Sequence, residues 1–127
     1  MKKILIDTNF LLIPAQFKVD IFSEIERICS FNYKLFILDK TMEELKSIIE
    51  NQKGKNKAAA KLALKLIAIK KINTLKTEKN IHTDTEIIIT AKKGFIVATQ
   101  DQDLKRRLRE KNISIITLRQ KKYLILT

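Results

Sequence analysis

FIVATQDQDLKRRLREKNISIITL, residues 95–118, contains a strand, a helix and a second strand in one continuous segment. Residues 95–99 are mostly apolar and predict a buried strand, and Asp101 can cap a helix that runs to about Lys111. Residues 113–118 are apolar again and predict the next strand. Two strands joined by a crossover helix lie parallel in one sheet, so this segment predicts an α/β fold.

The same alternation continues on both sides of this segment. Further strands are predicted at 2–6, 34–38 and 74–76, and helices at 16–29, 58–72, 82–92 and from Asp39 or Thr41 up to the polar loop 51–57. Residues 123–126 fit either another strand or an interface segment. Apolar strands of this kind are typical of a parallel sheet covered by helices on both faces, where sites form at the carboxyl ends of the strands.

Length and composition predict one domain, residues 1–127, with a substantial apolar core, since 45% of the residues are hydrophobic. No apolar run is long enough to span a membrane, and Asp7 interrupts the apolar start too early for a signal peptide. We therefore expect a cytoplasmic protein with no membrane partner. Cys29 is the single cysteine, which excludes an intrachain disulfide and a thiolate zinc site.

Charge is distributed unevenly along the chain. Residues 1–50 hold 7 basic and 8 acidic side chains, a net of −1, whereas residues 51–127 hold 19 and 6, a net of +13. Such a basic half predicts a polyanionic partner, most simply nucleic acid, although a lysine-rich proteome or a thermophile surface gives the same balance. The densest basic cluster follows the acids of 101–103 and predicts contacts to a nucleic-acid backbone through Lys105, Arg106, Arg107 and Arg109. The same residues also fit the solvated face of a helix buried through its leucines.

Several acids fall where the predicted fold brings chain segments together. Asp7 directly follows the first strand, and Asp101 stands two residues after strand 95–99, at the same edge of the sheet. Asp84 precedes Ile87, Ile88 and Ala91 at helical spacing and so lies on the core-facing stripe of its helix. Glu44 flanks the buried stripe of its own helix, whereas the side chain of Glu43 points nearly opposite and is expected in solvent.

Each acid also has a structural explanation when taken alone. Asp101 can cap its helix, Asp7 can serve a turn at a strand end, and Asp84 can accept backbone N–H bonds. Together, however, clustered carboxylates repel each other, and a divalent cation removes that repulsion. Oxygen ligands without cysteine, and with one distant histidine, point to Mg²⁺ or Mn²⁺.

Four stretches resemble the PIN-domain family of metal-dependent ribonucleases: ILIDTNFLL (4–12), MEELKSI (42–48), DTEIIITAKK (84–93) and FIVATQDQDLKRRLREKNISIITLR (95–119). The last of these, extended to residue 126, is most similar to the branch that processes small-subunit ribosomal RNA precursors in archaea and eukaryotes. VapC-type toxins share the same core motifs.

This resemblance implies a flavodoxin-like α/β/α sandwich with a central, mostly parallel sheet, and an acidic pocket that binds one or two Mg²⁺ or Mn²⁺ ions to hydrolyse RNA. The catalytic and metal-binding residues it implies are Asp7, Glu44, Asp84 and Asp101, with Asp103 as an auxiliary acid. Glu44 matches because it directly precedes an apolar residue, and Asn9 and Thr99 match polar positions that support the pocket. Where the eukaryotic branch has paired acids, this chain has Asp84 followed by Thr85, so Asp84 is the only candidate there.

The leading hypothesis is a metal-dependent endoribonuclease acting on structured RNA such as ribosomal RNA precursors. The alternatives are a VapC-type toxin with an antitoxin partner and a non-catalytic RNA-binding PIN module, although the latter is expected to lack the acids. A receiver-like phosphoacceptor would need a late-strand lysine where this chain has Arg119.

His82 fits a helix start better than a pocket residue. The wide apolar arc of helix 58–72 fits either a core helix or a homodimer contact.

Overall fold

The computed structural model describes residues 1–78 and 80–127. Its strands are β1 (Lys2–Ile6), β2 (Tyr33–Leu38), β3 (Asn73–Leu75), β4 (Phe95–Ala98), β5 (Ile115–Arg119) and β6 (Tyr123–Leu126). Its helices are α1 (Thr8–Leu11), α2 (Ile13–Phe17), α3 (Ile21–Ile28), α4 (Asp39–Asn51), α5 (Lys55–Ile69), α6 (Thr83–Ala91) and α7 (Gln102–Glu110). Within the described ranges, no helix has the length and apolar character needed to cross a bilayer.

All six strands form one sheet in the order β3-β2-β1-β4-β5-β6. The first five strands in the chain pair in parallel, and β6 pairs antiparallel with β5 at the edge. β1 and β4 are neighbours, with Ile6 opposite Ala98, so the residues that follow these two strands emerge side by side. This arrangement confirms the predicted α/β fold with a mostly parallel sheet flanked by helices.

Alternating side chains of the central strands build two separate cores, one on each face of the sheet. Ile4 and Ile6 point into the larger core, which is covered by α1 to α5, whereas Leu5 between them points into the core beneath α6 and α7. Because successive strand side chains face opposite sides, one apolar run serves both cores. Asp7 is the first polar residue beyond this run, and it therefore stands at the rim where the two cores end.

The predicted helix 16–29 is wrong in its first part. The span predicted as one helix is divided between the end of α2 at Phe17 and α3, which begins at Ile21. Pro14 lies in the first turn of α2, and Lys18 ends that helix in a left-handed conformation with φ 55°. Asp20 then starts α3 by accepting hydrogen bonds from the backbone N–H groups of Phe22 and Ser23, both at 3.1 Å. The capping chemistry of Asp20, rather than the apolar spacing, fixes where α3 begins.

Other predicted boundaries differ by one to three residues. α5 begins at Lys55 rather than at residue 58, so the polar loop shrinks to residues 52–54, and β5 begins at Ile115 rather than at residue 113. Residues 123–126, which fitted either a strand or an interface segment, form the edge strand β6.

The outer edge of β6 is covered by two side chains of α3. The backbone N–H of Leu124 donates to Glu24 Oε1 at 2.9 Å, and Arg27 Nη2 donates to the carbonyl oxygen of Leu124 at 3.0 Å. Arg27 Nε also donates to Glu24 Oε2 at 2.9 Å, which holds the two side chains together. The carboxylate and the guanidinium thus take the places of the backbone groups that a seventh strand would supply.

We expect Glu24→Ala to loosen this edge. The variant removes the acceptor for the Leu124 N–H, so the free energy of unfolding should fall by about 1 kcal/mol, and the Leu124 amide should exchange faster with solvent. Chemical denaturation and hydrogen exchange measure the two effects. Glu26→Ala, on the exposed side of the same helix, is the matched control. Equal exchange rates for Leu124 in both variants would contradict this account of the edge.

Candidate functional site

A cleft of about 280 Å³ opens at the carboxyl edge of the sheet. Four elements bring one acid each to it: Asp7 follows β1, Glu44 lies in the second turn of α4, Asp84 in the first turn of α6, and Asp101 caps α7. The complete lining comprises Asp7, Thr8, Asn9, Leu12, Glu44, His82, Thr83, Asp84 and Asp101. Four of the five acids named from the sequence therefore share one cleft.

Asp7 is the most buried acid of the cleft, with 7% of its surface exposed. Its Oδ1 accepts from the backbone N–H of Thr8 and its Oδ2 from the Thr99 hydroxyl, both at 2.8 Å. Thr99 is itself fully buried, and its oxygen accepts from the backbone N–H of Asp101 at 3.1 Å. One hydroxyl therefore connects the Asp7 carboxylate to the chain segment that carries Asp101.

Glu44 is oriented by a pair of buried threonines. The Thr8 hydroxyl donates to Glu44 Oε1 at 3.0 Å, and the hydroxyls of Thr8 and Thr41 lie 3.1 Å apart. Because Thr8 has one hydroxyl proton and gives it to Glu44, Thr41 is the donor to Thr8. Glu43 is exposed and is not part of the cleft lining, as its helix position predicts.

Asp84 is half-buried at the start of α6, where the helix opens onto the cleft. The apolar stripe that follows it, Ile87, Ile88 and Ala91, is buried as predicted. The backbone N–H of Asp84 donates to Nδ1 of His82 at 3.3 Å, so His82 is the N-cap of α6. His82 also lines the cleft, so it is both a helix-start residue and a residue of the pocket.

Asn9 and Gln100 connect the chain segments around the cleft. Asn9 Oδ1 accepts from the backbone N–H of Gln100 at 3.2 Å. Gln100 Oε1 in turn accepts from the Thr117 hydroxyl and from the backbone N–H of Leu118, both at 2.8 Å. The connection after β1, the connection after β4 and the end of β5 are therefore fixed to one another beside Asp101.

Burial and mutual repulsion make the cleft unfavourable for negative charge. Burial, with smaller contributions from Glu44 and Asp84, raises the pKa of Asp7 to about 6, against the hydrogen bonds from Thr99 and Thr8 that lower it. Burial also raises the pKa of Glu44, and the charge of Asp84 adds to the rise while the Thr8 hydrogen bond opposes it. A positive charge in the cleft would relieve both effects.

The donor chemistry of the cleft fits a hard divalent cation. Its four acids offer carboxylate oxygens, the kind of ligand that Mg²⁺ and Mn²⁺ prefer. In residues 1–78 and 80–127, however, no three Asp, Glu, His or Cys side chains stand close enough together to form a finished metal site. The four acids thus line one cleft, but their carboxylates are not yet close enough together to coordinate one ion.

The fifth predicted acid, Asp103, is not part of the cleft lining. Its side chain is 62% exposed and accepts from Arg106 Nη2 at 2.6 Å, and this hydrogen bond lowers its pKa. Successive residues of an α-helix are rotated by about 100°, so a side chain two positions beyond Asp101 points nearly the opposite way.

The predicted basic cluster of α7 is only partly presented to solvent. Lys105 is buried beside Leu104 and Leu108, and this burial, together with the charges of Arg109 and Arg119, lowers its pKa. Arg106 is exposed but is paired with Asp103 and, at 3.0 Å, with Glu110. Arg109 lies at the far end of the helix, where it lines a hollow with Asn112 and Ser114 away from the cleft. Arg107 is half-exposed.

Sequence reasoning named Thr99 and Asn9 but missed Thr8, Thr41 and Gln100, whose side chains also orient the segments around the cleft. Thr8 directly follows Asp7, and Thr41 precedes Glu44 by three residues, one helical turn on the same face. That spacing was a usable signal for Thr41. The role of Gln100 depends on the pairing of β4 with β5, which the local sequence does not specify.

The chain matches a family described as PIN like domain over residues 4–121. The chain belongs to this family. It is 39% identical to "Ribonuclease VapC4" of Methanocaldococcus jannaschii, covering 97% of this chain and 95% of that protein. It is 29% identical to "Ribonuclease VapC9" of Archaeoglobus fulgidus, covering 92% and 83% respectively.

The fold is also similar to that of a solved structure, the PIN domain endonuclease Utp24. The TM-score is 0.78 at 23% identity, and the match covers 98% of this chain and 90% of that one. This likeness confirms the predicted PIN-like sandwich.

We expect Asp7→Asn to stabilise the metal-free protein at neutral pH. An acid whose pKa is raised in the folded state binds its proton more tightly there, so its ionisation costs stability as the pH rises from about 4 to about 6. Asparagine avoids this cost, which corresponds to a gain of about 1–3 kcal/mol at pH 7. Below about pH 4 the gain should disappear.

Urea unfolding of both proteins in EDTA, at several pH values, measures this difference. Asp103→Asn is the control, since Asp103 is exposed and its pKa is lowered rather than raised. A gain for Asp7→Asn that does not change between pH 4 and pH 7 would contradict the assigned burial cost.

Proposed function

We propose that this protein is a metal-dependent endoribonuclease that hydrolyses RNA phosphodiester bonds in the acidic cleft. One observation carries the proposal: Asp7, Glu44, Asp84 and Asp101, contributed by four separate elements, line one cleft in a chain of the PIN like domain family. Relatives covering most of the chain bear the name ribonuclease, which supports RNA as the substrate.

Asp7, Glu44, Asp84 and Asp101 would hold Mg²⁺ or Mn²⁺. When bound, such a cation supplies charge neutralisation at a phosphate and activation of water. The chain itself contributes orientation, because Thr99 fixes Asp7 and Thr8 fixes Glu44. We assign the acids of the lining to holding the cation and the threonines to orienting the acids, so the proposed reaction is direct hydrolysis by water.

Cleavage should depend on the cleft acids but not on Asp103. We expect Asp84→Asn and Asp101→Asn to lower the rate roughly 100-fold or more, beyond the 10–100-fold that outer partners of a metal site cost. Asp103→Asn should change it by less than about threefold, because an exposed ion pair contributes little. The assay is cleavage of a labelled hairpin RNA with single-stranded flanks, in Mn²⁺, Mg²⁺ or EDTA.

Circular dichroism of each variant checks that its fold is retained. If wild type and Asp84→Asn cut equally, the cleavage comes from a contaminant and the non-catalytic RNA-binding module becomes the better account. Equal losses in Asp103→Asn and Asp101→Asn would place the site on α7 as a whole rather than in the cleft.

Metal binding should also be visible without any RNA. A cation at 100 times its Kd raises the free energy of unfolding by about 2.7 kcal/mol, so Mn²⁺ should raise the thermal midpoint of the wild type by several degrees. Asp7→Asn should lose most of this shift, whereas Asp103→Asn should keep it. A shift of equal size in all three proteins would indicate cation binding elsewhere on the surface.

Two biological roles are compatible with this chemistry. Processing of ribosomal RNA precursors is the first, and the resemblance of 95–126 to that branch supports it. A VapC-type toxin with a cognate antitoxin is the second, and the 39% identity to "Ribonuclease VapC4" supports it. Induced expression in a host cell separates the two. Growth arrest that Asp84→Asn abolishes favours the toxin, and accumulation of altered ribosomal RNA ends without arrest favours processing.

A homodimer through α5 remains part of the proposal. Leu62 and Ile69 are exposed on this helix, Ile69 to 69%, although its other face is core. Sedimentation of the wild type and of Ile69→Glu tests this contact.

A further inference from the structure

An exposed aromatic ring lies among cations at the carboxyl edge of the sheet. Phe17, the last residue of α2, has 36% of its surface exposed. Lys121 Nζ lies 5.8 Å from the centroid of its ring. Lys18, the next residue, is exposed and has a left-handed backbone. Phe17 is therefore a flat apolar surface bordered by positive charge.

The turn between β5 and β6 supplies the other cations. Arg119, the last residue of β5, and the three turn residues, Gln120, Lys121 and Lys122, are all exposed. Gln120 and Lys121 have φ of 54° and 56°, in the left-handed region where Asn-Gly is the favoured pair. No acidic side chain in residues 1–78 or 80–127 forms an ion pair with Arg119, Lys121 or Lys122. Lys121 therefore has a left-handed backbone that glycine or asparagine adopts at lower cost, and it forms no ion pair with a described acid.

Two direct connections place this patch beside the cleft. Leu12 lines the cleft and is also the N-cap of α2, so the five residues of α2 lead from the cleft wall to Phe17. Such a helix advances about 7.5 Å. On the other side, Gln100, next to Asp101, accepts a hydrogen bond from the N–H of Leu118, the residue before Arg119. The patch and the cleft are therefore held at a fixed separation.

We propose that Phe17, Lys18, Arg119, Lys121 and Lys122 form a subsite that stacks one unpaired base of the RNA and binds its neighbouring phosphates, a proposal that rests on the ribonuclease function above. An exposed ring gives a base a face for stacking, and basic side chains around it follow the phosphate backbone. The cations that border the ring favour a polyanion over an apolar protein partner as its occupant.

The first test asks whether RNA binding needs an aromatic ring at position 17 or only an apolar side chain of similar volume. Binding of a labelled single-stranded RNA is measured by fluorescence anisotropy in EDTA, which prevents cleavage. Phe17→Leu keeps apolar volume but loses the ring, and we expect it to weaken binding roughly 5- to 100-fold, the range for one base–aromatic stack. Phe17→Tyr keeps the ring and should bind like the wild type.

Phe31→Leu is the matched control for the ring. Phe31 precedes β2 at the opposite edge of the sheet and also lies near a lysine, with Lys2 Nζ 5.6 Å from its centroid. Phe31→Leu should leave RNA binding unchanged. An abasic nucleotide placed stepwise along the RNA should abolish the difference between wild type and Phe17→Leu at one position only.

The second test separates charge from backbone strain. Lys121→Asn removes a cation and suits the left-handed backbone better, so the variant should be slightly more stable yet bind RNA more weakly, with the slope of log K against log salt reduced by about 0.7. Lys71→Asn is the matched control, since Lys71 also has a left-handed backbone, φ 50°, and precedes β3 at the far end of the sheet. It should leave the salt slope unchanged.

The outcomes distinguish this subsite from the proposed function. If wild type cuts RNA and Phe17→Leu and Lys121→Asn bind it as the wild type does, the subsite is wrong and the nuclease stands. Equal losses for single-stranded and fully paired RNA in Phe17→Leu would refute base stacking. If the wild type neither binds nor cuts RNA, both proposals fail.

Discussion

The hydrogen bond from Thr99 to Asp7 is the contact on which the candidate site depends. It joins the ends of β1 and β4, the two central strands, at the place where a carboxylate must be kept almost out of water. Burial opposes the negative charge, and the Thr99 hydroxyl and Thr8 N–H only partly offset that cost. The sheet therefore holds an acid in a position that is unfavourable for the free protein, as is common where a site is built for a ligand of opposite charge.

The positions of the acids were predictable because they follow from local patterns. Asp7 directly follows one apolar run and Asp101 closely follows another, and an apolar run fixes where a strand stops at the edge of the sheet. Glu44 could be separated from Glu43 because helix periodicity decides which one flanks the buried stripe, and Glu44 is the one that lines the cleft. Asp84 followed from the same rule, with Ile87 and Ile88 marking the face.

The errors concern information that the local sequence does not contain. The family resemblance gave Asp103 as an auxiliary acid, and charge placed Lys105 among the backbone contacts, but α7 turns Asp103 into solvent and buries Lys105. The long helix predicted from residue 16 broke because Lys18 has a left-handed backbone, which no apolar spacing reveals. Gln100 was overlooked because its partners lie on β5, and the pairing of β4 with β5 is a property of the whole sheet.

The hydrogen bonds of Glu24 and Arg27 to β6 also limit where a further strand can be added to the sheet. A partner that recognises proteins by adding a strand needs a row of free backbone N–H and C=O groups. At the β6 end, Leu124 already has both groups occupied by side chains. The opposite edge is the short strand β3, Asn73–Leu75, which pairs with β2 on its inner side only in the described part of the chain. Addition of a strand beside β6 would therefore have to displace the Glu24 and Arg27 side chains from Leu124, whereas at β3 a partner strand would have only three residues to pair with.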